Sequence, residues 1–269
     1  MSQIELSCGT MDYTDTGGAG AVLVFLHGLL MDASLWDAVI ADLSADHRCV
    51  APTLPLGAHR HPMQPDTDLS LPGIARLVAE FCDRLDLDGV TLVGNDTGGA
   101  LVQLLVADGT WPALSRVVLA SCDAFDNFPP GLTGKTLVAS GRLSSGMFGL
   151  FMQQMRLRPV RRLPIAFGWL TKRGDAATAE WMKPVLTQAA IRRDTVRVLR
   201  VPDGQGPAGR RGRTAAGIQA PGPGRLGQRG PGDATRARAA PGRAPAGSQA
   251  GRGGGQLHAH PAGPAGPVR

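Results

Sequence analysis

The chain has 269 residues and 43% of them are hydrophobic, which is enough for one α/β domain with an inserted subdomain and a sizeable core. Its four cysteines lack metal-ligand spacing, which argues against a zinc site and predicts reduced, packed cysteines in a cytoplasmic protein. Because there is no basic-then-apolar leader and no apolar run of about 18 residues, we expect neither secretion nor membrane insertion.

The net charge of +6 comes from the last quarter of the chain. Residues 1–200 carry 18 Lys and Arg against 20 Asp and Glu, a net charge of −2. Residues 201–269 carry ten Arg against two Asp, a net charge of +8. Arginine-rich segments can contact nucleic-acid phosphates, but this segment has no aromatic residue on which bases would stack. We therefore expect no nucleic-acid partner.

The first part of the chain alternates between strand and helix patterns. Two short strands with a turn near Cys8-Gly9 are predicted by "IELSCGTMDYTDTG", and a buried parallel strand by "AVLVFLHG" at 21–28. A helix, a strand and a Ser70-capped helix follow in "SLWDAVIADL", "CVAPTL" and "LSLPGIARLVAEFCDRLDL". The strands "VTLVGND" and "RVVLASCDAF" enclose the helix "GGALVQLLVAD". This alternation predicts an α/β fold whose mostly parallel sheet has helices on both faces.

The pattern changes to short, Leu-rich and Met-rich helices between about Asn127 and Arg200. The pieces are "GMFGLFMQQMRL", "LPIAFGWL" and "EWMKPVLTQAA", and they predict a helical cap inserted after a sheet strand, over a pocket. The predicted boundaries are 1–126 for the core, 127–200 for the cap and 201–269 for a tail. Candidates to line the pocket, or to pack the cap itself, are Phe148, Phe151, Met152, Phe167 and Trp169.

The tail consists almost entirely of Gly, Pro, Ala and Arg. Its only large aliphatic residues are Val201, Ile218, Leu226, Leu257 and Val268. Such a segment cannot bury enough apolar surface to offset the entropy lost on ordering. We expect it to be irregular or disordered.

The stretch "VGNDTGG" at 93–99 is the strongest functional motif. It lies at a strand-to-helix turn, where Gly94, Asn95 and Gly98 would form a tight elbow that presents the Asp96 side chain above the carboxyl edge of the sheet. The backbone N–H of Thr97 would then point at the reacting centre. As an alternative, Asp96 would merely cap the helix that follows.

A second part of the same site is expected in the loop after the strand at 21–26. His27-Gly28 ends that strand, and a backbone N–H of the loop, for which Leu29 is the candidate, would complete an oxyanion or leaving-group hole with Thr97. As an alternative, His27-Gly28 is only a turn that ends the strand.

With "LVFLHG" and "LVGNDTGGAL" in this order and spacing, residues 1–200 resemble the α/β-hydrolase superfamily. The aspartate at the elbow resembles the branch of haloalkane dehalogenases and epoxide hydrolases. That resemblance implies a carboxylate that attacks an alkyl carbon of a small-molecule substrate and forms an ester, which water then cleaves. It implies no metal and no organic cofactor.

The resemblance also implies an orienting acid and a histidine base. The acid would lie in "SCDAFDNFPP", where Asp123 is the candidate and Asp126 the reserve, although each is also typical of a turn or cap residue. The base would lie near the C-terminus, where only His258 and His260 occur, with no strand or helix before them. We expect His47, His59 and His61, near the fourth strand, to be surface residues.

Two departures narrow the implied activity. Thr97 stands where many relatives have tryptophan, and Leu29 stands where some dehalogenases have a halide-binding asparagine, which weakens a halide pocket. Epoxide hydrolases use cap tyrosines, whereas the only tyrosine here, Tyr13, lies in the N-terminal strands. That counts strongly against an epoxide substrate.

The abrupt change of composition at Arg200 suggests a one-base frameshift near codons 199–203. If residues 218–233 are back-translated and read one base later, the codons are compatible with a buried strand ending in an acid. Two hypotheses follow from the whole sequence. The chain is either an aspartate-nucleophile hydrolase acting on a small apolar substrate, or a catalytically impaired relative that has lost its late acid and histidine and at most binds.

Overall fold

The computed structural model describes residues 1–109, 111–122, 131–168, 171–172 and 174–200. These form six strands: β1 Ser2–Leu6, β2 Gly9–Asp15, β3 Ala21–Leu26, β4 His47–Pro52, β5 Val90–Asn95 and β6 Leu114–Ala120. They also form eight α-helices: α1 Asp37–Leu43, α2 Leu71–Arg84, α3 Thr97–Asp108, α4 Gly131–Ser140, α5 Ser145–Met152, α6 Arg158–Arg161, α7 Gly174–Thr187 and α8 Ala189–Leu199.

The strands form one sheet in the order β1-β2-β4-β3-β5-β6. β3 to β6 run parallel, and β1 and β2 join them as an antiparallel hairpin. β5 therefore lies between β3 and β6, so the residues that follow these three strands meet at one edge of the sheet.

Both faces of the sheet are covered at its central strands β3 and β5, as the continuous apolar runs predict. Val24, Leu26 and Leu92 belong to a buried cluster that includes apolar residues of α2 and α3. The alternate strand residues Phe25 and Val93 belong to a second buried cluster on the other face, with Trp36 and Ile40. Since successive side chains of a strand point to opposite faces, this division fixes the register of the sheet.

α2 begins where its sequence predicts. The Ser70 hydroxyl accepts a hydrogen bond from the Gly73 N–H, and Pro72 occupies the first turn. The sixth predicted apolar residue, Leu85, lies just after the end of the helix and is half-buried. The other five are buried: Ile74, Leu77, Val78, Phe81 and Cys82. The position of α2 against the sheet follows from this stripe.

Residues 131–200 form helices joined by short turns in their described parts, and we call this segment the cap. Phe148, Met152 and Phe167 are buried in a cluster that also holds Trp181 and Met182. They pack the cap, whereas Phe151 is exposed and Trp169 lies outside the described residues. The cluster includes Leu30, Met31 and Ala58 of the core, so the cap packs on loops at the carboxyl edge of the sheet.

β6 differs from the other parallel strands. Within the described residues only β5 pairs with it, and Val117, Val118 and Leu119 are exposed. Because they are consecutive, both faces of β6 are open in the described structure. The strand predicted as "RVVLASCDAF" ends at Ala120.

The α/β fold with a mostly parallel sheet and flanking helices is confirmed. The expectation that His59 is a surface residue is wrong: its side chain is 3% exposed. It is buried because α8, a helix not identified in the sequence, covers the loop that carries it. The predicted tail, 201–269, lies outside the described residues. No helix within the described ranges combines the length and apolar character needed to cross a lipid bilayer.

Candidate active site

Asp96 lies at the turn between β5 and α3 in a strained backbone conformation, with φ 51° and ψ −123°. Leu30 and Ser121, which follow β3 and β6, also have positive φ values. Positive φ is uncommon outside glycine, and such strain tends to accumulate at functional sites. Three of the four described non-glycine residues with positive φ thus lie at the same edge of the sheet.

The glycines of the elbow and of the facing loop leave space that a side chain would fill. A Cβ atom on Gly98 would lie 2.3 Å from the Leu26 carbonyl oxygen, and one on Gly28 would lie 2.3 Å from the Asp96 Oδ2 atom. Only glycine allows β3, α3 and the Asp96 carboxylate to approach this closely. The predicted elbow of Gly94, Asn95 and Gly98 therefore stays consistent with a presented Asp96.

The carboxylate of Asp96 faces the loop after β3. Its Oδ2 atom accepts a hydrogen bond from the Leu29 N–H at 3.2 Å, and the Thr97 hydroxyl lies 3.4 Å from the same oxygen. The Thr97 backbone N–H also interacts with this carboxylate. The Leu29 N–H, one of the two predicted donors, and the Thr97 hydroxyl thus converge on one oxygen of Asp96.

The capping alternative for Asp96 does not agree with this geometry. The residue stands at the N-terminus of α3, but its side chain makes no capping hydrogen bond to that helix. It instead accepts from the Leu29 N–H, 67 positions earlier in the chain, and from the side-chain hydroxyl of Thr97. An aspartate selected only as a cap would accept from the second or third residue of its own helix.

Burial raises the pKa of Asp96, while hydrogen bonds from the Thr97 and Leu29 backbones and from the Thr97 hydroxyl partly oppose that rise. The side chain is half-buried. A partly desolvated carboxylate of raised pKa is a stronger nucleophile than one solvated by water, once it is ionised.

His27 supports the loop and does not face the reacting centre. Its Nε2 atom accepts from the Leu54 N–H at 2.8 Å, so the proton is on Nδ1, which donates to the Gly28 carbonyl at 2.8 Å. Burial lowers the pKa of this histidine to about 4, so the ring is neutral at pH 7. Both nitrogens are occupied by backbone, which fixes Gly28 next to Asp96.

Asn95 joins the elbow to the neighbouring strand. Its side-chain amide donates to the Ala120 carbonyl at 2.9 Å, and the Asp96 N–H donates to the Ser121 carbonyl at 3.3 Å. The end of β6 therefore holds one side of the elbow, as the loop after β3 holds the other.

The predicted acid and base stay predictions. Asp123 and Asp126, and also His258 and His260, lie outside the described residues. Of the other histidines, His61 faces Asp12 at 3.2 Å and His47 is half-buried at the start of β4. Within the described ranges, no cluster of three or more His, Cys, Asp or Glu side chains is placed to hold a metal ion.

A groove of about 490 Å³ opens on the cap. It is lined by cap residues alone, among them Gly149, Leu150 and Arg192, and it does not include Asp96. This groove therefore does not serve the candidate nucleophile.

A buried pair near the site was not anticipated from the sequence. Asp194 of α8 and His59 of the loop after β4 are both buried, with 3.5 Å between Oδ2 and Nε2. Nothing in "GAHRHP" or "IRRDTVRVL" distinguishes these residues from exposed ones, because the partner elements are far apart in the chain.

A family model matches most of the chain. A model described as the alpha/beta hydrolase family matches residues 23–263, which include most of the tail. A haloalkane dehalogenase of Mesorhizobium japonicum is 35% identical over 106 residues, 39% of this chain and 34% of the relative. A haloalkane dehalogenase of Agrobacterium fabrum is 35% identical over 92 residues, 34% of this chain and 30% of the relative. The chain thus spans about a third of the length of these curated relatives.

Solved structures agree with the fold. Epoxide hydrolase CorEH without ligand has a TM-score of 0.62 and 21% identity, covering 78% of this chain and 76% of that chain. The ancestral haloalkane dehalogenase AncHLD2 has a TM-score of 0.56 and 23% identity, covering 74% and 69%. At these identities the likeness establishes the fold alone. The resemblance predicted from "LVFLHG" and "LVGNDTGGAL" is confirmed.

Proposed function

The chain belongs to the alpha/beta hydrolase family, and we propose that it is a hydrolase whose nucleophile is Asp96. The single observation that carries the proposal is the hydrogen bond from the Leu29 N–H to the Asp96 Oδ2 atom. This bond singles out one carboxylate oxygen for the hole and leaves the other available to attack.

In the first step, the free oxygen of Asp96 attacks an sp³ carbon of a small apolar substrate. A carbon–oxygen bond forms, and the bond to the leaving group breaks with both electrons going to that group. The product is an alkyl ester of Asp96. An aspartate suits this displacement because it needs no general base to become a nucleophile once it is ionised.

In the second step, water attacks the carbonyl carbon of the ester, which is Cγ of Asp96. Negative charge then develops on the Oδ2 oxygen that Leu29 and Thr97 surround. The Leu29 N–H, fixed in advance on this oxygen, and the Thr97 hydroxyl stabilise the tetrahedral intermediate. Collapse releases an alcohol and restores the carboxylate. We assign the removal of the water proton to a base in the part of the chain beyond the described residues, with Asp123 as the candidate to orient it.

An alkyl compound with a simple leaving group fits better than an epoxide. Ring opening of an epoxide leaves an alkoxide that needs a proton donor. The only tyrosine, Tyr13, packs edge-on against Phe81 with 5.4 Å between the ring centroids, on the hairpin side of the sheet. The dehalogenase relatives support the same choice.

The test uses 1-bromobutane with the full-length chain, followed by peptide mass spectrometry and a bromide assay. We expect one butyl group on the peptide that contains Asp96 and at least one equivalent of bromide. Asp96→Asn should reduce both by at least about 1,000-fold, as removal of a nucleophile does. Asp108→Asn, which changes an exposed acid at the end of the same helix, is the matched control and should react as the wild type does. A wild-type chain that neither forms an adduct on Asp96 nor releases bromide contradicts the proposal.

Asp96→Asn also tests the raised pKa. A carboxyl whose pKa is higher in the folded than in the unfolded state destabilises the fold once pH exceeds its usual value, 3.8. The asparagine variant should therefore melt at a higher temperature than the wild type at pH 7. An unchanged or lower melting temperature would argue against a desolvated carboxylate at this position.

A second candidate is a catalytically impaired chain, which the open faces of β6 favour. If a frameshift replaced the native tail, the strands that would cover Val117, Val118 and Leu119 are not made. Stoichiometric bromide, without turnover, is then expected because no base cleaves the ester. The family match reaches residue 263, so the decisive measurement is the coding DNA across codons 190–210. An intact reading frame there removes the frameshift, and sustained turnover by the full chain removes the impairment.

A further inference from the structure

Asp194 and His59 form a buried acid–histidine pair that the proposed chemistry does not use. Asp194 lies in α8, the last helix of the cap, and its side chain is fully buried. His59 lies in the β4–α2 loop, residues 53–70, and its Nε2 atom is 3.5 Å from the Asp194 Oδ2 atom. Buried charges are costly unless paired, so the position of this pair calls for an explanation.

Asp194 holds the β4–α2 loop by several contacts. Its Oδ2 atom accepts from the Met63 N–H at 2.9 Å, and its Oδ1 atom accepts from the Arg193 guanidinium at 2.7 Å. The Arg193 guanidinium also donates to the Met63 carbonyl at 2.8 Å, and the Arg197 guanidinium to the Thr67 carbonyl. Burial by itself raises the pKa of Asp194, but these contacts and His59 outweigh it, so the pKa lies below its usual value.

The hydrogen bonds of His59 define its tautomer. Nδ1 accepts from the Gly57 N–H at 3.3 Å, so the proton of the neutral ring is on Nε2 and points towards Asp194. The imidazole therefore accepts a hydrogen bond from the loop backbone at Gly57, and its Nε2 atom, which makes no hydrogen bond within the described residues, faces the carboxylate of α8 at 3.5 Å.

The same loop backs the candidate hole. The Leu56 carbonyl accepts from the Leu30 N–H at 2.9 Å, next to the Leu29 N–H that bonds Asp96. A Cβ atom on Gly57 would lie 2.7 Å from the Leu30 side chain and 3.2 Å from the Thr195 hydroxyl, so α8, the loop and the Leu29–Leu30 turn are in close packing here. A continuous series of contacts thus runs from Asp194 through His59 and Gly57 to the turn that holds Asp96.

We propose that Asp194 and His59 are positioning residues, which hold the β4–α2 loop against the Leu29–Leu30 turn and so keep the Leu29 N–H on Asp96. The geometry of the nucleophile then depends on a docked α8, which makes the cap part of the active site without touching substrate. The catalytic consequence rests on the proposed function; the structural linkage does not.

The main variant is Asp194→Asn, which keeps the size of the side chain. Two donors, the Met63 N–H and the His59 Nε2–H, face one end of the carboxylate, and Arg193 faces the other. Whichever way the amide turns, its NH2 group meets a donor, so one side loses its acceptor. Asp175→Asn is the matched control, because Asp175 also pairs with two arginines of the cap, Arg158 and Arg162, at a site that leaves the loop untouched.

Amide hydrogen exchange over residues 26–31 measures the linkage without any chemistry. Asp194→Asn should accelerate exchange of Leu29 and Leu30 by about tenfold, and Asp175→Asn should leave it unchanged. Unchanged exchange in a folded Asp194→Asn chain, or equal acceleration in Asp175→Asn, overturns the proposal.

A second pair of variants decides the matter if Asp194→Asn does not fold. His59→Ala removes the bridge, whereas His59→Gln keeps an N–H donor that can reach Asp194. We expect fast exchange at Leu29 in the alanine variant and exchange close to wild type in the glutamine variant. Equal behaviour of the two variants contradicts a positioning role for the imidazole.

The pKa of Asp96, followed by carbon NMR of labelled aspartate, is the readout that general destabilisation would not move. Because the Leu29 N–H lowers this pKa, loss of positioning should raise it in Asp194→Asn and His59→Ala only. The pH profile of alkylation by 1-bromobutane should shift upward with it. If the wild type neither forms an adduct nor releases bromide, the proposed function fails, while exchange and the pKa of Asp96 still decide this inference.

Discussion

Asp96 stands between two strand ends that are built differently. On the β3 side, the Leu29 N–H bonds the Asp96 carboxylate, and the His27 ring bonds the Gly28 carbonyl and the β4–α2 loop. On the β6 side, the elbow is held by the Ala120 and Ser121 carbonyls, but the strand before them is exposed on both faces within the described residues. Within the described residues, the side of the site that holds the Asp96 carboxylate is thus packed, whereas the strand that leads to the predicted acid is exposed.

The largest difference in the free energy of unfolding is expected between alanine variants of two paired residues of the sheet. Leu92 of β5 and Val117 of β6 are partners in register, but Leu92 is fully buried whereas Val117 is 43% exposed. Leu92→Ala should lower the free energy of unfolding by about 2–5 kcal/mol, and Val117→Ala by less than about 0.5 kcal/mol. Urea unfolding of both variants measures the contrast. A large effect of Val117→Ala would mean that chain beyond the described residues covers β6, and would count against a frameshifted tail.

Lowering the pH should reduce the stability of the fold through protonation of His27, on the β3 side of the site. Its pKa is lowered from 6.5 to about 4 in the fold, so the unfolded chain binds more protons between these values. The stability that His27 contributes is therefore complete above pH 6.5 and is lost as pH falls towards 4, by about 3 kcal/mol at most. Urea midpoints measured from pH 7 to pH 4 should fall steeply in the wild type and less steeply in His27→Gln.

The carboxyls with a lowered pKa do not obscure the effect of His27 between pH 6.5 and pH 4, provided that Asp96 is replaced. Asp15, Asp68 and Asp194 have lowered pKa values, so their stabilising effect is lost only as pH falls below about 3.8. Asp96 has a raised pKa and acts in the opposite direction, so both chains are compared in an Asp96→Asn background. Parallel midpoint curves for the two chains would mean that His27 is not the group that titrates.

The difference between the two sides also explains how much could be predicted from the sequence. Three features were predictable because their signals act over a few residues. Glycine spacing predicted the elbow at Asp96, an apolar run predicted the strand before it, and Ser70 predicted the start of α2. That Leu29 lies opposite Asp96 followed from the parallel pairing of β3 and β5, which makes the ends of these strands neighbours.

The buried pair of His59 and Asp194 was not predictable in the same way. Asp194 meets Met63 across 131 positions of the chain, and neither residue lies in a periodic pattern. Four of the eleven residues of α8 are charged, three of them arginines, so its apolar stripe was not recognised as a helix that packs on the core. Long-range contacts of polar side chains leave no local signal, which is why the expectation of a surface His59 was wrong.

The smallest predicted effect tests the β3 side at the reacting atom. In Gly28→Ala the new Cβ would lie 2.3 Å from Asp96 Oδ2 and 2.8 Å from its Cβ, so the carboxylate must move away from the Leu29 N–H. A displacement of about 1 Å reduces reaction rates on the order of 100-fold, so alkylation of Asp96 by 1-bromobutane should slow by about that factor. Gly146→Ala, where no atom lies within 4 Å of the new Cβ, is the control and should react normally. Because β6 contacts neither Gly28 nor Leu29 in the described pairing, this loss should be the same whether or not a native tail covers that strand. A Gly28→Ala chain that is alkylated at the wild-type rate would show that the hole oxygen need not be held for the first step, and would confine the role of Leu29 to hydrolysis of the ester.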